Sequence, residues 1–363
     1  MKSESDMSTT KGMTGSYNRD SRTQQEDFVR HLDTLLECID VVVTERAQLC
    51  SLIDYGCSLG ANSILAMSRL IQYIHENKSV NAFSVHHNDL PGNDFNALLK
   101  HLCGSADNYQ HIPGCRVFTQ LVPSSFFQQV VPDRQVDLGF TIAAVHWLTR
   151  IPDGDYRNAV YLSDANQQAQ TALLDQAAQD WQSFARARSK EIKPGGLLFI
   201  MALSSEIDSA GCREVAAAGL FVVVKKVLEK LVADKQLSRE TLDKFIFPVV
   251  PRTREEFLEP FESSELTGDW HCLHCSIEKG IASDYIAYQK HRDARLYAEH
   301  YTEFFRSFSQ ATMIDNLFAP GATTMTAEEL CDLFYARFCQ AIETSPEEGV
   351  FHHLISNIVL QRV

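Results

Sequence analysis

The residues with the clearest chemical potential are Asp54-Tyr55-Gly56-Cys57-Ser58-Leu59-Gly60-Ala61-Asn62. The apolar run before Asp54 reads as a strand, the glycines as a tight turn, and Ala61 onward as a helix start. Small residues at a strand-to-helix turn let a ligand approach the backbone closely. A carboxylate at the strand end can hold hydroxyls or a cation. The spacing is G-x-x-x-G and not the G-x-G-x-x-G of dinucleotide binders. Gly56-Cys57-Ser58-Leu59-Gly60 also fits the letters of a G-x-S-x-G nucleophile turn, so a serine hydrolase using Ser58 is a rival. A turn with no chemistry is a third reading. A second acidic stretch, Asn88-Asp89-Leu90-Pro91-Gly92, shifts the balance. Two acids at neighbouring strand ends suit a nucleoside-containing ligand with a cationic centre better than an oxyanion.

Other candidates are weaker alone. Ser125 and Thr141 fall at the ends of two further strands. His146-Trp147 offers an indole edge and an imidazole for an apolar acceptor, or two ordinary core residues. His271-Cys272-x-His274-Cys275 invites a metal reading, but alternation along a strand splits its four side chains between two faces, and no second cluster completes a zinc set. The pairs His86-His87 and His352-His353 meet the same objection. No metal is required by these residues.

The elements that must position these groups alternate. A helix with apolar Phe28, Leu32, Leu35, Leu36 and Ile39, capped at Ser21 with Gln24 at the capping-box position, precedes the first strand. Helices at 62–75, 94–102 and 165–190 separate strands at 49–54, 81–87, 116–121, 136–141 and 197–203. Such alternation predicts an α/β fold, a mainly parallel sheet with helices on both faces, whose ligands sit at the carboxyl ends of the strands. The segment from 206 to about 261, then 285–308 and 327–342, reads as helical. Trp270–Ile277 and Val350–Val363 read as a final antiparallel strand pair. The domain organisation expected is a flexible segment at 1–12, an α/β core of 13–205 plus 264–282 and 346–363, and a helical cap of 206–263 plus 283–345.

Composition narrows the function classes. The 363 residues are 45% hydrophobic and 22% charged, ample for a buried core. A net charge of −14 argues against nucleic acid or an anionic membrane as partner. No apolar run has the length of a membrane span, and residues 1–27 lack a secretory signal. The ten cysteines are then read as free thiols and the protein as cytoplasmic.

Taken together these stretches resemble the SABATH family of S-adenosylmethionine-dependent carboxyl methyltransferases, which act on salicylate, benzoate, jasmonate and xanthine-alkaloid substrates. Ser16-Tyr17-Asn18-Arg19-Asp20-Ser21-Arg22-Thr23-Gln24 resembles the family's Ser-Tyr-x-x-Asn-Ser-x-x-Gln. Asp54 to Asn62 matches Asp-x-Gly-Cys-Ser-x-Gly-x-Asn, and Asn88-Asp89-Leu90-Pro91-Gly92-Asn93-Asp94-Phe95-Asn96 matches a signature almost letter for letter. Val122-Pro123-Ser124-Ser125-Phe126-Phe127 and Val145-His146-Trp147-Leu148 resemble two further motifs. The resemblance implies a class I methyltransferase (Rossmann-like) fold, with a seven-stranded sheet and an inserted helical cap. It implies that Ser21, Asp54, Gly56, Asn62, Asp89, Leu90, Ser125 and Phe126 line an S-adenosylmethionine site. Tyr17, Gln24, His146 and Trp147 would face the acceptor, with Gln24 and Trp147 on its carboxylate, and Lys11 would match a lysine of that pocket. Departures are Asp20 for Asn, Ser124 for Gly, and Thr141-Ile142-Ala143-Ala144-Val145 where other members carry a bulkier segment, so the pocket is expected to be more apolar beside Ala143. Related enzymes are commonly homodimers.

A carboxylic acid has an unperturbed pKa near 4 and is already ionised at neutral pH, so its methylation needs positioning more than a base. The expected function is therefore O-methylation of a small apolar or aromatic acid by in-line displacement, with no catalytic acid or base in the chain. The alternatives are N-methylation of a small heterocycle or amine, for which His146 could accept a proton, and, in a different class, the Ser58 hydrolase or a cofactor-binding protein without turnover.

Overall fold

A computed structural model describes residues 31–40, 48–104, 107–263 and 265–363. Its centre is a seven-stranded sheet in the order β3-β2-β1-β4-β5-β9-β8. The strands are β1 (Cys50–Tyr55), β2 (Ala82–Asp89), β3 (Arg116–Pro123), β4 (Val136–Ile142), β5 (Ile192–Leu203), β8 (Trp270–Ile281) and β9 (His352–Arg362). Strands β1 to β5 pair in parallel, whereas β9 runs antiparallel between β5 and β8. A parallel strand must be followed by a crossover long enough to return to the same end, which is why helices alternate with these strands. Strand order reverses at β1: the chain goes to β2 on one side and later to β4 on the other. That switch point opens a crevice at the carboxyl ends of β1 and β4.

Both faces are covered. On one, the helical residues 31–40 (α1), helix Ala61–Lys78 (α2) and helix Phe95–Gly104 (α3) contribute Leu32, Leu35, Ile39, Ile64, Met67, Leu70, Ile71 and Leu102 against Leu52, Phe83, Val85 and Phe140. On the other, helix Gln167–Glu191 (α4) contributes Trp181, Phe184 and Ala185. Because both faces are covered, β1 is buried throughout and β2 at every residue but its last. Each fully buried large apolar side chain stabilises the fold by about 1.5–3 kcal/mol.

The helical expectation for 206–261 needs correction. The segment opens with a small antiparallel hairpin, β6 (Ser205–Ile207) and β7 (Arg213–Val215), before helix Ala218–Ala233 (α5) begins. Asp208, Ala210 and Gly211 make the turn: the Asp208 carboxylate accepts from the amides of Ala210 and Cys212, and Gly211 has φ +82°. This Asx-type geometry competes with helix. Residues 243–253 are also largely non-helical. Helix Arg254–Glu262 (α6), inside the range expected for the cap, packs on the sheet: Phe257, Leu258 and Phe261 join Trp181, whose indole N–H donates to the Phe257 carbonyl at 2.9 Å.

A second hydrophobic cluster lies beyond the sheet. It is built from α5, helix Ser283–His291 (α7), helix Ala294–Met313 (α8) and helix Ala327–Thr344 (α9), with Phe221, Phe305, Phe318, Phe334 and Phe338 at its centre. Thr326 and Glu329 form a capping box that starts α9.

The strand that carries His271, Cys272, His274 and Cys275 departs from regular alternation. A β-bulge between Cys272 and His274 inserts Leu273, and both thiols end up packed against the same hydrophobic cluster. Among the described residues no group of three or more His, Cys, Asp or Glu side chains could hold a metal. Nor is any described helix long and apolar enough to cross a membrane. The His86 and His87 side chains are buried and locally engaged. His86 faces Ser84 Oγ at 3.1 Å, and His87 bridges Ser63 Oγ and the Tyr109 hydroxyl at 2.8 Å each. Burial, then His86, pushes the His87 pKa down to about 3.

Candidate functional site

The crevice at the carboxyl ends of β1 to β4 gathers the loops that the sequence singles out. After β1, Gly56 turns with φ +105°, Ser58 with φ +51° and Gly60 with φ +95°, the last serving as the N-cap of α2. A Cβ on Gly56 would lie 2.4 Å from the Ala144 Cβ, so the turn packs directly on the loop after β4. Asn88 ties three loops together. Its carbonyl accepts from the amides of Gly56 and Cys57, both at 2.9 Å, and its side-chain amide donates to the carbonyls of Val122 (2.8 Å) and Ser124 (2.7 Å). Asn93 completes the frame by donating from Nδ2 to the Ser58 carbonyl at 2.7 Å.

Two carboxyls face this frame. Asp89 Oδ2 accepts from the Ser58 amide at 2.7 Å and Oδ1 from the Leu90 amide at 2.8 Å. A carboxylate has about four lone-pair sites, so both oxygens retain capacity for a ligand. Burial pushes the Asp89 pKa up to about 6, with the Ser58 and Leu90 amides pulling against it. Asp54 is 3% exposed, and its Oδ1 has no hydrogen-bond partner among the described residues. Burial pushes its pKa up to about 7; a hydrogen bond from Ser63 opposes the rise and the nearby Asp89 adds to it. A buried carboxyl oxygen without a partner is costly, and a ligand that brings hydroxyl or ammonium donors would satisfy it. Thr141 Oγ1, at the end of β4, is also buried without a partner. Acidic acceptors around a glycine turn fit a nucleoside with a cationic amino-acid tail.

The remaining positions fall around the same crevice. Asn62 stands in the first turn of α2, and Leu90 follows β2 directly. Ser125 and Phe126 lie on the loop after β3. A signal that sequence reading misses holds this loop from below. The fully buried Arg188 donates from its guanidinium to the carbonyls of Phe126 (2.7 Å) and Gln128 (2.9 Å), and pairs with Glu191 at 2.9 Å. Glu191 in turn accepts from the Tyr55 hydroxyl at 2.7 Å and from the Val130 amide. A basic residue near a helix C-terminus reads as a solvated dipole partner, which conceals its role. Lys11, Tyr17, Ser21 and Gln24 lie outside the described residues.

Ser58 does not carry nucleophile machinery. Its Oγ is buried and has no hydrogen-bond partner among the described residues, hence no adjacent base.

A cavity opens beside the loop after β4. It is lined by Ala143, His146, Trp147 and Met201 on the sheet side and by Phe221, Phe247, Phe304 and Phe308 on the helical side, among others. The backbone of Met201, Ala202 and Leu203 is paired in the β5–β9 ladder. The Tyr161 hydroxyl, another lining group, donates to the Ala216 carbonyl at 3.0 Å. His146 accepts at Nδ1 from the Leu203 amide at 3.3 Å, which puts the proton of the neutral ring on Nε2. Burial, then the buried Arg252, pushes its pKa down to about 3, so the ring is neutral. His146 and Trp147 both line the cavity, and among the described residues no hydrogen bond engages His146 Nε2–H or the Trp147 indole N–H. Among the described side chains of the lining, the polar groups left for a ligand are these two N–H donors. In this tautomer the nitrogen left free already carries a proton, an arrangement suited to donating more than to accepting one.

Comparison with known proteins agrees with this geometry. A family model described as SAM-dependent carboxyl methyltransferase matches residues 3–362. A benzoic acid/salicylic acid carboxyl methyltransferase of Petunia hybrida is 29% identical over 206 residues, covering 54% of this chain and 57% of its own length. The chain thus matches little more than half the length of that relative. An indole-3-acetate O-methyltransferase of Arabidopsis thaliana is 27% identical over 278 residues, covering 69% of this chain and 70% of its own. Among solved structures, a loganic acid methyltransferase with SAH superposes with a TM-score of 0.78 at 18% identity, covering 97% of this chain and 98% of the other, a likeness of fold. With a family model spanning nearly every residue and a seven-stranded sheet to match, the chain belongs to the SAM-dependent carboxyl methyltransferases, the SABATH family.

Proposed function

We propose that the chain transfers a methyl group from S-adenosylmethionine to the carboxylate of a small, largely apolar organic acid, forming its methyl ester. The observation that carries this reading is the pair of N–H donors that His146 and Trp147 leave for a ligand in the cavity. An ionised carboxylate is an acceptor-only group, so two N–H donors match it. An N–H heterocycle would instead present a donor to donors and would need a base that the described lining lacks. The names of the petunia and Arabidopsis relatives, which point to benzoate, salicylate and indole-3-acetate, support an acid as acceptor.

In this reading Asp54, Gly56, Asn62, Asp89, Leu90, Ser125 and Phe126 surround the cofactor, with Asp89 on ribose hydroxyls, and Ser21 contributes from the N-terminal segment. When bound, S-adenosylmethionine supplies an electrophilic methyl on a cationic sulfur. The work of the protein is placement. His146 and Trp147 hold the carboxylate with Gln24, Tyr17 and Lys11 beside them, and the apolar walls exclude water. No residue gains or loses a proton, because the acid arrives ionised. Esterification then removes the charge that the donors hold, which favours product release. The sheet and crevice form the cofactor-binding core and α5 with α7–α9 the cap over the acceptor.

The test is release of S-adenosylhomocysteine across a panel of aromatic, terpenoid and fatty carboxylic acids and a few purines, with the product identified by mass. Methyl esters from acids are the result expected. Turnover confined to purines or amines, or none with any acid while the cofactor binds, would overturn the proposal.

A further inference from the structure

The cavity beside His146 and Trp147 says something about the acceptor beyond its carboxylate. Past those two N–H groups, the described lining presents carbon: Ala143, Met201, Leu220, Val249, Ile355 and a run of aromatic rings. The rings form a continuous wall. Trp147 meets Phe247 at 5.4 Å between centroids, Phe247 meets Phe221 at 5.0 Å, and on the far side Phe304 meets Phe308 at 5.3 Å and Phe351 at 5.4 Å. The Tyr161 hydroxyl is turned away onto the Ala216 carbonyl, and its ring stacks on Phe221 at 4.0 Å. No Lys, Arg, Asp or Glu is among the described lining residues. A hydroxyl or amino group on the body of a bound acid would lose its water here and gain no partner among the described residues.

We propose that the acceptor is a monocarboxylic acid whose body carries no hydrogen-bonding group, and that His146 Nε2–H, fixed by the Leu203 amide, is a donor that holds its carboxylate. The inference rests on reading this cavity as the acceptor site. It also gives the Leu203–His146 contact a purpose. The Leu203 amide, at the end of β5, donates to Nδ1 and so selects the tautomer that turns a donor toward the ligand.

The experiment measures binding, so that it is independent of whether an ester forms. Calorimetry on the full chain saturated with S-adenosylhomocysteine compares decanoate with ω-hydroxydecanoate and cinnamate with para-coumarate. The result expected is that each hydroxylated acid binds roughly 10- to 100-fold more weakly than its parent, the range by which an apolar pocket rejects an added hydroxyl. Equal or tighter binding of the hydroxylated partner in both pairs, or no binding by either parent acid, would overturn the inference. For the donor role, His146→Phe should abolish the wild-type preference for decanoate over methyl decanoate while still binding S-adenosylhomocysteine; a preserved preference would remove His146. If that variant does not fold, the two wild-type pairs still decide the acceptor class. Failure of esterification with selective binding intact would count against the proposed reaction and leave the ligand class standing.

Discussion

The carboxylate of Asp89 closes the turn that carries Ser58: Oδ2 accepts from the Ser58 amide at 2.7 Å, across from the end of β2 to the loop after β1. This single contact joins two strand ends that lie side by side in the sheet, Tyr55 opposite Asn88 in register. It fixes a positive-φ serine in place and holds a second carboxyl close to Asp54. Burial raises the pKa of both acids, and at Asp54 the neighbouring Asp89 adds to the rise.

These raised pKa values set a pH dependence. Asp54 is raised to about 7 and Asp89 to about 6, whereas unfolded carboxyls ionise near 4. Between these limits the folded state binds more protons than the unfolded one, so the ligand-free protein should lose stability as pH rises from about 4 to about 7. Cofactor affinity should move the other way and strengthen through the same window, because ionised acids hold its ammonium and hydroxyls. Asp54→Asn should raise the melting temperature of the ligand-free protein at pH 8 by about 2 °C or more. The same change should weaken S-adenosylmethionine binding about 10- to 100-fold. Melting curves and titration calorimetry from pH 5.5 to pH 8 check both. Unchanged affinity in Asp54→Asn would exclude this carboxyl from the site.

Gly56→Ala tests the turn itself. The new Cβ would sit 2.4 Å from the Ala144 Cβ and would have to adopt φ +105°. Backbone strain of about 1–2 kcal/mol and overpacking of about 1–3 kcal/mol predict a loss of roughly 2–5 kcal/mol in urea unfolding. Gly195→Ala, where φ is +82° but nothing lies within 4 Å, carries the strain without the clash and should cost less. Equal losses would mean that the contact with Ala144 is unimportant.

Ser58→Ala separates binding from hydrolysis. The Oγ has no partner among the described residues, so its removal relieves a buried polar atom. Cofactor affinity and methyl transfer should change less than about threefold, a difference below 1 kcal/mol. A loss of activity by orders of magnitude, with cofactor binding intact, would return Ser58 to the role of nucleophile.

The sheet and its crevice were legible because they rest on short-range signals: apolar runs ending at Asp54 and Asp89, glycines where φ is positive, and helices of regular period. What was not legible depends on contacts between distant segments. Asn88 was visible only as the neighbour of Asp89, yet its amide binds Val122 and Ser124 on another loop. The free donor on His146 could not be foreseen, because it depends on the Leu203 amide from β5. The bulge at Leu273 interrupts the regular register that strand alternation presumes. The hairpin at 205–215 was hidden by the helical segments that follow it.

The buried Arg188–Glu191 pair supplies the last prediction. Glu191 takes hydrogen bonds from Arg188, Tyr55 and the Val130 amide, and Arg188 holds the Phe126 and Gln128 carbonyls, so the pair links β1, α4 and the loop after β3. Both side chains are 0% exposed. Glu191→Leu leaves a buried guanidinium without its counter-charge and should cost about 3–5 kcal/mol in urea unfolding. Arg188→Met strands the carboxylate and removes the two carbonyl contacts as well. It should cost as much and, in the folded fraction, also weaken S-adenosylmethionine binding by loosening Phe126. The double variant Arg188→Met/Glu191→Leu removes both charges together. It should be more stable than either single variant, because breaking a buried pair is worse than replacing it with apolar groups. Its cofactor affinity should nevertheless stay low, since the Phe126 and Gln128 carbonyls remain without donors. Stability and affinity recovering together in the double variant would show that the pair serves the core alone and does not position the cofactor loop.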